Sequence, residues 1–114
     1  MAKADPPAEP VEQSGAETRD RLTGDEGGRW RVVTRSGSVH IFDLDAGTVE
    51  RIPGPNASVS VNDTCRPLRT IERCEVARTG GWTMKSHDFM VDFYWQACTV
   101  IVRIERLPDD PAEP

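Results

Sequence analysis

Between Arg29 and Leu107 the apolar residues recur mainly at every second position. That alternation turns successive side chains to opposite faces and predicts strands. Trp30–Thr34 and Val39–Leu44 are two such runs, and Ser36-Gly37 between them reads as a two-residue turn. Glycine sits there where a positive φ is wanted. A tight turn pairs Val33 with His40 and Thr34 with Val39. Trp30, Val32 and Thr34 then share a face with Val39 and Ile41, and Val33, His40, Phe42 and Leu44 take the other.

A second reversal follows at Asp45-Ala46-Gly47, and then a strand over Thr48–Ile52. Pro53-Gly54-Pro55-Asn56 is a loop, and Val59 with Val61 suggests another short strand. Leu68–Val76 reads two ways. As a strand it aligns Leu68, Thr70, Cys74 and Val76. As a helix with Pro67 in its first turn it carries a stripe of Leu68, Ile71 and Cys74. The β-branched Thr70, Ile71 and Val76 favour the strand.

The last segment has a parity conflict. Phe89, Val91, Phe93 and Trp95 alternate on odd numbers, whereas Cys98, Val100, Val102 and Ile104 alternate on even ones. A one-residue slip turns every side chain over, so a bulge or turn is expected at Gln96-Ala97. The pattern predicts an all-β fold, a small antiparallel barrel or sandwich of about five to seven strands.

Composition sharpens this picture. Valine, isoleucine and threonine fill 22 of the 79 positions in 29–107, and leucine plus alanine only seven. All seven aromatics and all three cysteines of the 114 residues fall in the same window. Net charge is −5 overall, but −4 lies in residues 1–28, −3 in 108–114 and +2 in the body. The expected organisation is a single domain over 29–107 between acidic disordered tails, 1–28 and 108–114. Ser14-Gly15-Ala16-Glu17 has the form of a capping box, but only Leu22 is available to anchor a short helix after it. The uncharged apolar run 93–102 has ten residues, too few for a membrane span. Acids and prolines in Met1–Pro10 do not suit a secretory leader, so a cytoplasmic protein is expected.

Candidate chemistry is sparse. Cys65, Cys74 and Cys98 lack the close spacing of a zinc site, so free thiols, no metal and no cofactor are expected. Ser86-His87-Asp88 holds the residue types of a triad, but adjacent residues cannot reach relay geometry. A Cys98–His87 dyad is a remote alternative, and the expectation is that the chain is not an enzyme. Two binding groups stand out. Arg66, Arg69, Arg73 and Arg78 are possible anion contacts for single-stranded nucleic acid. Trp82 and Met84 follow the double glycine Gly80-Gly81. They either tuck back to cap the core or, with Lys85 and His87, form an outward loop presenting an interface anchor. The contact loop is the expectation carried forward.

Arg29–Gly54, with its run Arg-Trp-Arg-Val-Val-Thr-Arg-Ser-Gly-Ser-Val-His-Ile-Phe-Asp-Leu-Asp-Ala-Gly-Thr-Val-Glu-Arg-Ile-Pro-Gly, resembles small uncharacterised β-rich proteins of GC-rich actinobacteria and their phages. Thr99–Arg106 is similar to them too. The resemblance implies a bacterial or phage origin and transfers no functional residue. The expected function is a non-enzymatic protein-binding, adaptor or inhibitor module. The alternative is weak binding of single-stranded nucleic acid.

Overall fold

A computed structural model describes residues 17–55, 57–60 and 63–108. The alternating runs become seven strands: β1 Arg29–Thr34, β2 Val39–Asp43, β3 Thr48–Ile52, β4 Arg66–Arg73, β5 Gly80–Lys85, β6 Phe93–Cys98 and β7 Ile101–Leu107. There is no helix among the described residues, and none is long and apolar enough to cross a membrane. All seven strands form one antiparallel sheet in the order β6-β5-β4-β3-β2-β1-β7.

Strands β6 and β7 stand at opposite ends of that order, yet only Thr99 and Val100 separate them. The sheet must therefore fold over until its ends approach. It creases between β3 and β4, where the ladder is reduced to Thr48↔Pro67 and Val49↔Arg66. The β3-β2-β1-β7 half packs on the β4-β5-β6 half, and Trp82 of β5 meets Phe42 of β2 edge-on at 4.9 Å between ring centroids. No ladder joins β6 to β7 among the described residues, so the result is a folded-over sandwich and not a closed barrel.

The first hairpin is one residue out of the expected register. Val33 pairs with Val39 and Val32 with His40, so the loop holds three residues, Arg35-Ser36-Gly37. Gly37 takes φ +94°, and its N–H donates to the Thr34 carbonyl at 3.0 Å, as a three-residue hairpin with a left-handed closing residue requires. The shift turns β2 over. His40 and Phe42 join Trp30, Val32 and Thr34 inside, leaving Val39 and Ile41 on the outer side. The second reversal closes as expected, with Gly47 at φ +73°.

Strand β4 resolves its own ambiguity in an unexpected way. It is a strand, but its ladder slips twice, between Leu68 and Thr70 and between Ile71 and Arg73. Each bulge inserts one residue, so Leu68, Ile71 and Cys74 all turn inward at a spacing that imitates a helical stripe. Thr70, expected beside Leu68 and Cys74, faces outward with Thr83.

Three further expectations change. Val59 is exposed and outside any strand, and Val61 lies outside the described residues. No bulge or turn falls at Gln96-Ala97: β6 runs unbroken to Cys98 with Phe93 and Trp95 outward, and the chain turns at Thr99-Val100. Most consequentially, 17–28 is part of the domain. Arg19 N–H donates to the Ile104 carbonyl (3.0 Å), Leu22 N–H to Cys74 (2.9 Å) and Val76 N–H to Asp20 (2.8 Å). This segment laces β7 to the chain leaving β4, and Leu22 is buried in the core. The Glu26 carboxylate then accepts from Thr23 and Gly24 N–H at 2.8 and 2.9 Å, turning the chain towards β1. Low apolar content misleads here, because paired backbone groups and one leucine suffice to hold an edge. Residues 1–16 and 109–114, expected as tails, lie outside the described residues.

Candidate binding surface

Strand β5 runs through the middle of its half-sheet with even residues inward. Trp82 and Met84 are therefore buried in the core, and the expectation that they form a contact loop is corrected. Trp82 packs edge-on against both His40 (4.8 Å) and Phe42. The double glycine is not a flexible approach. It opens a strand that passes closely beneath neighbours: a Cβ on Gly80 would stand 2.7 Å from Cys98 Sγ, and one on Gly81 3.1 Å from the Trp95 ring.

Lys85 and His87 are exposed, at the start of the β5–β6 connection. His87 Nδ1 lies 3.2 Å from Arg66 Nη1 and 3.1 Å from the Tyr94 hydroxyl. The Arg66 guanidinium sits 4.6 Å over the Tyr94 ring. The remainder of 86–92 is a built turn. Asp88 N–H donates to Ser86 Oγ at 2.8 Å, Met90 N–H to Asp88 Oδ1 at 2.9 Å and Val91 N–H to the Asp88 carbonyl at 2.9 Å. On this frame Phe89 is 97% exposed and Met90 76%, with Val91 also exposed.

The outer face of β4, β5 and β6 adds a second group. Register pairs Lys85 with Phe93, Thr83 with Trp95 and Gly81 with Ala97, all on the outer side. Phe93 is 37% and Trp95 53% exposed. From β4, Arg69 reaches across to lie 4.4 Å over the Phe93 ring, while Thr70 Oγ1 meets Thr83 Oγ1 at 2.7 Å. Glu72, Arg73, Thr79, Gly80, Gly81, Trp95 and Ala97 line an open groove of about 500 Å³ on the same face.

The four arginines thus do not form one cluster. Arg69 and Arg73 share the outer face, Arg66 turns to Tyr94 and His87, and Arg78 pairs with Glu75 at 3.5 Å. The alternation of Phe89, Val91, Phe93 and Trp95 suits a core face, yet Phe93 and Trp95 lie on the surface. The available signal was the parity conflict itself: two apolar sets of opposite parity cannot both face one interior.

Cys74 and Cys98 are poor nucleophiles. Burial pushes the Cys74 thiol up to about 12, with Cys98 nearby adding to the shift, and burial raises Cys98 as well. Cys65 is exposed, and all three are free. Among the described residues no group of three or more His, Cys, Asp or Glu is arranged to hold a metal. Comparison with protein-family models, curated proteins and solved structures finds no match to this chain.

Proposed function

We propose that the chain is a non-enzymatic protein-binding module, an adaptor or inhibitor of bacterial or phage origin working in the cytoplasm. Its contact is the apolar tip of the β5–β6 hairpin. The observation that carries this reading is the exposure of Phe89 and Met90 on a turn held by its own hydrogen bonds. Large apolar side chains cost free energy in water, and a contiguous exposed set marks an interaction site. Because the turn is already ordered, little conformational entropy is lost on docking. Lys85, His87, Asp88 and Asp92 surround the tip as a polar rim. Burial that disfavours the thiolate at Cys74 and Cys98 supports the non-enzymatic side of the reading.

The test places a photo-crosslinking residue at position 89 in the source organism, with position 46 on the β2–β3 turn as control. One discrete crosslinked protein from position 89, absent from position 46 and lost on adding Met90→Ser, is the expected result. Equal capture from both positions, or capture indifferent to Met90→Ser in a folded protein, overturns the reading.

A further inference from the structure

Independently of the hairpin tip, we propose that the outer face of the β3-β2-β1-β7 half-sheet is a self-association surface, taken by the same face of a second copy of this chain. Trp30, Val32, His40 and Phe42 point inward, so the odd-numbered residues of β1 and β2 point out. Register then lays three rows across the four strands. The first is Ile52, Val39, Val33 and, at the β7 bulge, Val102 beside Arg103. The second is Glu50, Ile41, Arg31 and Glu105, and the third is Thr48, Asp43, Arg29 and Leu107. Ile52 and Val102, at the two ends of the first row, are each 48% exposed, and the valines between them are half-buried.

The charges on this face are sorted by strand. Glu50 and Asp43 stand on β3 and β2, and neither has an ion-pair partner among the described residues. Arg29, Arg31 and Arg103 stand on β1 and β7 with one acid, Glu105, which meets Arg31 at 2.8 Å and Arg103 at 3.3 Å. The outward residues therefore give one half −2 and the other +2. A two-fold axis running along the strands between β1 and β2 turns this face onto itself, with β3 over β7. Each row then meets its own reverse. Val39 and Val33 meet Val33 and Val39 of the second copy, Ile52 meets Val102, and Asp43 meets Arg29. Glu50 reaches the two arginines that share Glu105.

A partner of one sign, such as an acidic peptide, would be drawn to one half of the face and repelled by the other. A second copy answers both halves and covers the β-branched row at the same time. Four strands about 4.8 Å apart, each giving five residues at about 3.4 Å, make a patch of roughly 300 Å² in projection. A standard interface buries about 800 Å² of accessible surface per partner, so the dimer is weak, with a dissociation constant of about 100 µM. The surface shares no strand with the β5–β6 hairpin.

The experiment follows the full chain by sedimentation velocity from about 10 µM to about 1 mM, a range that brackets the expected constant. The weight-average mass should rise from the 12.7 kDa of one chain towards twice that value, and should rise less in high salt. Val39→Glu puts a carboxylate into the apolar row beside the axis and should hold the mass at one copy. Glu50→Arg and Arg103→Glu should each weaken association about tenfold, and the double variant should restore it, because opposite charges face each other again. Both positions point outward, so these two variants keep the fold, which thermal melting checks. Phe89→Ser should leave association unchanged, which separates this face from the hairpin tip. The proposal is overturned by a one-copy mass at the highest concentration, or by association indifferent to Val39→Glu and to both charge reversals. A double variant no better than either single one overturns it too. Association lost in Phe89→Ser alone also overturns it, and assigns the pairing to the tip.

Discussion

Trp82 shows how one side chain can be misplaced by its neighbours in sequence. Two preceding glycines look like slack, yet they are small because Cys98 and Trp95 lie against them. The indole fills the centre of the sandwich, and Trp82→Ala should cost about 3–5 kcal/mol in chemical denaturation. His40 is the other residue whose position follows from the shifted hairpin. It is buried against Trp82, and neither ring nitrogen has a hydrogen-bond partner among the described residues. Burial, reinforced by the Arg51 guanidinium and opposed by Asp63, lowers its pKa to about 4 from the usual 6.5. The unfolded chain therefore takes up the proton first as pH falls. Stability is complete above about pH 6.5, and about 2.5 kcal/mol is lost by pH 4.5. Denaturant melts at pH 7.5 and 4.5 should show that difference in the native chain and its disappearance in His40→Leu. A thiol reagent gives a simpler check: Cys65 should react in the folded protein, and Cys74 and Cys98 only after unfolding.

Elements were more legible than the registers between them. The alternation over Trp30–Thr34, Val39–Leu44 and Thr48–Ile52 located β1, β2 and β3 to within a residue. Loop length, however, decides which face a strand presents, and Ser36-Gly37 alone does not distinguish a two-residue from a three-residue loop. In β4 two bulges reset the parity twice, so no single period describes its apolar positions. The edge segment 17–22 carried almost no signal, because its stabilisation is mainly backbone pairing, which any sequence can supply. Leu22→Ala should cost about 2–4 kcal/mol. Hydrogen exchange should then show faster loss at the amides of Arg19, Leu22, Val76 and Arg106, while the β2–β3 hairpin stays protected. The candidate surface was half legible. Lys85, His87, Arg69 and Arg73 lie on or beside it, whereas its aromatics are Phe89, Phe93 and Trp95 instead of Trp82.

At the scale of the whole molecule the last strand lies beside the first, and the sheet is completed only when both ends of the domain are present. Such non-local pairing favours slow folding, so refolding should occupy milliseconds to seconds. Stopped-flow tryptophan fluorescence, dominated by burial of Trp30 and Trp82, measures it directly. The two-residue corner at Thr99-Val100 has a mechanical consequence. It is latched to the first hairpin: Arg35 N–H donates to the Val100 carbonyl at 2.8 Å, and Thr99 Oγ1 donates to Ser36 Oγ at 3.1 Å. A load applied along β6 has almost no chain in which to dissipate before it reaches that latch. A partner gripping the β5–β6 tip therefore tugs, through β6, on the turn at 35–37 at the far end of the strand. A dye on residue 36 would act as a strain gauge for occupancy of a tip it does not touch.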